Sequence, residues 1–245
     1  MYFPIKKGGT MIYADLELNK KSDHCVILMH GYDANRSGVS TTFMANHLTE
    51  LGIDSLRFDL PGCGDDELPI SECTVKRTTS YLETIVDHLQ MLGTPYRTFS
   101  LFGSSGSSPV ALSEAAIGNF NKVGLQAPAS FEYVRSIKQT CDDLKLKASN
   151  GIYSITVAGK VVEVAERLLD IESQWTPNIS KNQTPIMIVH GEDDKIIPIQ
   201  YSMKLANRNS NVTLHISKKA DHSCAQPNKK DYAASILAPW FANDN

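Results

Sequence analysis

The sequence predicts an α/β fold, a doubly wound and mostly parallel sheet of about eight strands that carries a small inserted lid. Three observations lead there. Short apolar runs alternate with stretches of helical spacing, the pattern of βα units that assemble into a sheet covered on both faces. Runs such as His24-Cys-Val-Ile-Leu-Met-His30 and Pro185-Ile-Met-Ile-Val-His190 are nearly continuous in apolar residues, as strands buried on both faces are. One interval, 129–181, is too long for a plain crossover between neighbouring strands.

Taken in order, residues 2–6 and 11–18 alternate with a period of two around Gly8-Gly9 and predict an antiparallel hairpin at a sheet edge. The run from His24 to His30 is a central strand ended by Gly31. Phe43, Leu48 and Leu51 at helical spacing predict a helix over about 38–51, stopped by Gly52. The cycle repeats with a strand at 53–58, a loop through Pro61-Gly62-Cys63-Gly64, a helix at about 73–92, a strand at 97–102, a helix at 106–117 and a strand at 122–126. Beyond the insertion come a strand at 185–190, a helix at about 199–207, a strand at 212–216 and a closing helix near 231–241. Inside it, Asn150-Gly151 between the alternating runs Leu144–Ala148 and Ile152–Val157 predicts a hairpin. Val161, Val164, Ala165, Leu168 and Leu169 then predict a helix. This hairpin and helix are expected to form a lid; a strand pair added to the main sheet is the alternative.

A chain of 245 residues suits one domain, 1–245, with the insertion as part of it. Its net charge of −3, with acids and bases intermixed, offers no basic face for a nucleic acid and no polybasic membrane anchor. No segment reaches ~20 consecutive apolar residues and the N-terminus lacks a secretory pattern, so a cytoplasmic protein without a membrane span is expected. The five cysteines are odd in number and scattered without a Cys-x-x-Cys pair, which points to reduced thiols. No His-Glu-x-x-His or similar spacing occurs, and neither metal nor cofactor is expected.

Leu101-Phe-Gly-Ser-Ser-Gly-Ser-Ser108 joins a predicted strand to a predicted helix. A nucleophile held in a strained turn at a strand tip brings its neighbours at minus two and plus two close together, so both must be small. Ser105, between Gly103 and Ser107, is the one register that meets this; Ser104 would place Phe102 at minus two, and Ser107 and Ser108 fall within the helix. A serine hydroxyl needs a base and a carboxylate behind it. Gly191-Glu-Asp-Asp-Lys-Ile-Ile-Pro198 follows a buried strand and supplies Asp194 as the candidate acid, with Asp193 as the alternative. His222 lies just past the last strand and is the candidate base. His24 and His215 sit in or beside strands, His47 and His88 in helices, and His30 and His190 precede glycines where they shape loops. Backbone donors for an oxyanion are expected at Gly106, directly after the nucleophile, and at Tyr32, whose loop follows another strand tip.

His30-Gly31-Tyr32, Leu56-Arg-Phe-Asp59, Pro61-Gly62-Cys63-Gly64, the Ser105 turn, Gln126-Ala-Pro128, the Asp194 loop and His222 together resemble small α/β-hydrolases of the cinnamoyl (feruloyl) esterase, monoglyceride-lipase and serine-aminopeptidase-like kind. The resemblance spans nearly the whole chain. It implies a Ser-His-Asp triad, no cofactor, hydrolysis through an acyl-enzyme and, as in the cinnamoyl esterases, a short inserted lid; Asp59 would be a structural turn residue. The sequence departs from the group at Ser107, where glycine is common, at Asp65, where serine is frequent, and at Ala220-Asp221 before His222. The expected activity is hydrolysis of a carboxylic ester with a small or medium acyl group. An acyl thioesterase or acyltransferase is the alternative among enzymes. A non-catalytic hydrolase-like binding protein is the alternative of another class, and the filling of all three triad positions weighs against it.

Overall fold

The nearly continuous apolar runs form strands inside the sheet, not at its edges, and their period-two alternation feeds two separate cores. A computed structural model describes residues 1–7, 9–19, 22–93, 96–157, 159–169, 177–226 and 228–243. Its strands are β1 (Ile5–Lys7), β2 (Thr10–Ile12), β3 (Ala14–Glu17), β4 (His24–Met29), β5 (Asp54–Phe58), β6 (Thr98–Ser104), β7 (Val123–Gln126), β8 (Ile152–Val157), β9 (Lys160–Ala165), β10 (Ile186–Gly191) and β11 (Val212–Ser217). Among the described residues, seven of them make the central sheet in the order β11-β10-β7-β6-β4-β5-β3, parallel except for β3. The sequence predicts about eight. The chain leaves strand geometry at Tyr13, so β3 pairs with β5 while β1 and β2 form their own antiparallel ribbon, Ile5 opposite Ile12.

Helices α1 (Val39–Glu50), α2 (Val75–Met91), α3 (Ser108–Ile117), α4 (Phe131–Asp143), α5 (Glu166–Leu169), α6 (Gln200–Arg208) and α7 (Tyr232–Ala242) flank these sheets. Along β4, Cys25, Ile27 and Met29 join a core with Leu82, Ile85 and Leu112 of α2 and α3. Val26 and Leu28 point the other way, to Met44 and Leu48 of α1 and Leu237 and Phe241 of α7. Buried Lys122 donates its ammonium to the Trp240 and Asn243 carbonyls, closing the C-terminus of α7 where a cation is favoured.

The order of strands reverses between β4 and β6, since β5 lies on one side of β4 and β6 on the other. At such a switch point the loops leaving the strand tips diverge and leave a crevice. The loops after β4, β6, β7, β10 and β11 all emerge on that edge.

The insertion differs from its expected form. Asn150 and Gly151 take the left-handed conformations of a tight turn, at φ 52° and 75°, but the turn carries a single bridge, Ser149 to Ile152. The longer hairpin is β8 with β9, pairing Ile152 with Ala165 through Val157 with Lys160. Val161, Val164 and Ala165 are therefore strand residues, and the predicted helix is reduced to the single turn of α5. The β-branched run Val161-Val162, with Val164, suits a pleated strand better than a helix. Residues 144–148 descend from α4, whose N-cap Ser130 accepts from the Tyr133 amide at 3.2 Å.

Gly191 ends β10 where the loop after β11 crosses over it. A Cβ at this position would stand 2.0 Å from the Asp221 carbonyl oxygen and 2.5 Å from that of Ala220, both backbone atoms. Gly191→Ala is expected to push the 218–224 loop off the sheet edge and to lower stability by about 1–3 kcal/mol, read as a shifted midpoint in chemical denaturation.

Candidate active site

The chain passes from β6 to α3 through a single 3-10 turn, Ser105–Ser107. Ser105 sits at its start with φ 51°, a conformation that L side chains adopt only when the surroundings impose it. Those surroundings are visible. Ser107 Oγ accepts from the Ser104 amide at 2.9 Å, and a Cβ on Gly103 would lie 3.4 Å from that same Oγ. The serine at 107 thus occupies the small-residue place and also ties the turn. Across the crevice, a Cβ on Gly106 would stand 2.7 Å from Tyr32 Cβ and 3.2 Å from the Tyr32 amide nitrogen. Only glycine allows these two loops to approach so closely.

Three residues remote in sequence meet at this turn. Ser105 Oγ lies 2.9 Å from His222 Nε2, and His222 Nδ1 lies 2.6 Å from Asp194 Oδ2. An ionised carboxylate only accepts, so Nδ1 carries a proton toward Asp194 and Nε2 is left to accept from the serine hydroxyl. The His222 side chain is 24% exposed and the Asp194 side chain 0%. Asp193, the alternative acid, is exposed. Asp194 Oδ1 accepts from the amides of Ile196 and Ile197 at 2.8 and 3.0 Å. Burial pushes its carboxyl up, but hydrogen bonds from His190 and His222 outweigh burial and hold it well below the usual carboxylate range.

The loops that carry these groups are themselves pinned. Buried His30 accepts from the Leu60 amide at Nε2, 3.0 Å, and donates from Nδ1 to the Gly31 carbonyl, 2.7 Å, and burial pushes its imidazole down. It acts as a neutral brace for the Tyr32 loop. Asp59, fully buried, accepts from the Arg36 amide at 2.7 Å and from the Arg36 guanidinium, which also reaches Asp65 at 2.8 Å. The aspartate at 65 thus completes an ion network in place of serine. Gln126 donates to the Ser223 carbonyl at 2.9 Å and steadies the His222 loop.

Sequence reasoning did not find three contacts. His190, read as a loop-shaping residue, places Nε2 3.1 Å from Asp194 Oδ2. Tyr32 accepts at its hydroxyl from the Ala165 amide, 2.9 Å, and Tyr133 of α4 donates to the Ile196 carbonyl, 2.9 Å. These two tyrosines join the inserted segment to the loops beside Ser105. No pattern in the sequence marks such contacts, because the two tyrosine bonds depend on how the insertion lies over the crevice and the His190 bond on how the loop after β10 folds back. Between that segment and Ser105 lies a cavity of about 610 Å³, open to solvent. Val134 and Ile137 of α4, Ile155 and Val157 of β8, and Leu168 and Leu169 of α5 line it, with Tyr32 and Tyr133 toward the serine. The arrangement can remove a proton from the Ser105 hydroxyl while an apolar group occupies the cavity.

The depressed Asp194 pKa links the site to stability. Its contribution is present above the unfolded carboxylate value of about 3.9 and is lost as pH falls below that toward the folded value. The stability difference between the protein and Asp194→Asn is accordingly expected to shrink as pH drops below about 4, measured by denaturant unfolding over a pH series.

Comparison with known proteins agrees with this architecture. Residues 158–244 match the model of the prolyl oligopeptidase family. The Bos taurus protein named palmitoyl-protein thioesterase ABHD10, mitochondrial, is 24% identical over 80% of this chain and 66% of its own length, so the chain spans just under two thirds of that relative. Among solved structures, Est1E from Butyrivibrio proteoclasticus with ferulic acid bound superposes with a TM-score of 0.78 at 18% identity, over 97% of each chain. Mouse ABHD10 gives 0.74 at 18% identity, covering 98% of this chain and 96% of its own. A monoacylglycerol lipase from Paleococcus ferrophilus gives 0.71 at 16% identity, over 94% and 98%. These likenesses are of fold, and with the parallel sheet and the strand-turn-helix at Ser105 they show that the chain has the α/β-hydrolase fold.

Proposed function

We propose that this protein is a serine hydrolase that cleaves carboxylic esters of small or medium apolar acyl groups through an acyl-enzyme. The observation that carries this reading is the continuous path of hydrogen bonds from Ser105 Oγ through His222 to buried Asp194 at the mouth of an apolar cavity. In this mechanism His222 Nε2 takes the hydroxyl proton as Ser105 Oγ bonds to the acyl carbon. Asp194 holds the imidazole in the required tautomer and faces the imidazolium that forms. The backbone amides of Tyr32 and Gly106 receive the negative oxygen of the tetrahedral intermediate. His222 then returns the proton to the leaving group, and a water molecule, activated the same way, hydrolyses the acyl-enzyme. No cofactor or metal enters any step.

The aliphatic wall of the cavity supports an uncharged acyl group as occupant, since a charged one would be desolvated there without a partner. The segment 129–181 serves as the lid that builds this wall. A thioester is the second reading, favoured by the name of the bovine relative; it needs the same residues and differs in the leaving group. Five buried, unpaired thiols support a reducing compartment, of which the cytoplasm is one. No helix among the described residues is long and apolar enough to cross a membrane.

A fluorophosphonate probe is expected to label the protein and not Ser105→Ala, and the variant should lose on the order of 10⁴-fold or more in kcat on p-nitrophenyl esters; equal labelling of the two would overturn the assignment. Ile137→Trp should fill the cavity wall, reducing kcat/KM for octanoyl esters by about 10-fold or more while acetyl esters are still turned over. Parallel panels of p-nitrophenyl esters and acyl thioesters decide the leaving group.

A further inference from the structure

The Asp194 carboxylate is shared by two imidazoles. Its Oδ1 is held by the Ile196 and Ile197 amides, while Oδ2 faces both His222 Nδ1 at 2.6 Å and His190 Nε2 at 3.1 Å. His190 has no exposed surface and is fixed at both nitrogens. Nε2 also lies 2.9 Å from the Ile197 carbonyl, and Nδ1 lies 2.7 Å from Ser202 Oγ of α6. Carbonyl and carboxylate both accept, so Nε2 carries the proton and Nδ1 accepts from the Ser202 hydroxyl.

We propose that His190 is a positioning residue for Asp194, extending the relay to Ser202–His190–Asp194–His222–Ser105. The inference rests on the reading of Ser105, His222 and Asp194 as the hydrolytic machinery. Without His190, Oδ2 would be held by His222 alone, the partner that changes charge in every cycle. His190 fixes that oxygen independently, and by donating to it draws off part of the charge that the carboxylate presents to the imidazolium. A buried histidine with a structural role only would be satisfied by Ser202 and the Ile197 carbonyl; the third contact, on the oxygen shared with His222, ties it to the chemistry. The other titratable groups facing Asp194 are engaged elsewhere. Tyr133 donates to the Ile196 carbonyl, the Cys224 thiol points to the Val189 carbonyl at 3.5 Å, and Asp221 accepts from Ser223.

The test compares His190→Gln with His190→Asn. Both are polar, but only the longer amide reaches the place of Nε2 and can donate to Asp194. His190→Gln is expected to keep kcat on a p-nitrophenyl ester within about 3-fold, and His190→Asn to lose about 10- to 100-fold in kcat with KM unchanged. Fluorophosphonate labelling of Ser105 should slow in proportion, and the acid limb of the His190→Asn pH–rate profile should move to higher pH. Wild-type kcat and labelling rate in His190→Asn would overturn the proposal. So would equal losses in both variants that follow their Tm with the acid limb unmoved, the mark of a structural role. Failure of the underlying reading looks different, because the wild-type protein would then escape labelling at Ser105.

Discussion

At the tip of β6 the chain must turn from strand to helix within one residue, and it does so by holding Ser105 at φ 51°. This costs on the order of 1–3 kcal/mol, and it persists because its neighbours leave no other course. Gly103 and Ser107 close on each other beneath the turn, and Gly31 and Tyr32 press from the next loop, with a Cβ on Gly31 only 3.4 Å from Ser105 Cβ. The serine side chain is thereby lifted out of the sheet edge into the crevice. Every other feature of the site is arranged around a hydroxyl whose position is set by backbone strain.

The sheet turns this local constraint into a meeting point. Because β6 and β4 flank the switch in strand order, the Ser105 turn and the Tyr32 loop face each other, and the tips of β10 and β11 arrive from the same edge. Two ionic or polar devices hold the rims: the Arg36–Asp59–Asp65 network beneath the Tyr32 loop, and the His190–Asp194–Ile197 cluster beneath His222. Both sit where a packing error would displace a polar group by an ångström, and Asp59, His190 and Asp194 are each held by several hydrogen bonds. The inserted segment plays another part, since its aliphatic residues wall the cavity and its links to the scaffold include the hydroxyls of Tyr32 and Tyr133.

Legibility followed the physics of burial. The central strands could be read because burial on both faces forces an uninterrupted apolar run, and Ser105 because a strained turn excludes bulk on both sides. The insertion was harder. Val161, Val164, Leu168 and Leu169 satisfy a helical spacing, yet Val161 and Val164 are β-branched and pair with β8, and only Leu168 and Leu169 stay helical. Helix α4 was not foreseen, although Ser130 at its N-cap and Phe131, Val134, Ile137 and Cys141 at helical intervals carry the signal. In a peripheral segment one apolar face suffices for either structure, so local pattern does not decide between them.

By itself the sequence determined the layered α/β architecture, the identity of the strand-tip loops and the Ser105 register, because these follow from periodicity and from the steric needs of single turns. Tertiary structure alone decided that His190 joins Asp194 from four residues upstream, and that β8 and β9 with α4 and α5, rather than residues 144–148, build the cavity wall. Those outcomes depend on how loops and hairpins pack against one another, and a pattern along the chain records which side chains are available but not which of them the packed sheet brings within 3 Å of one another.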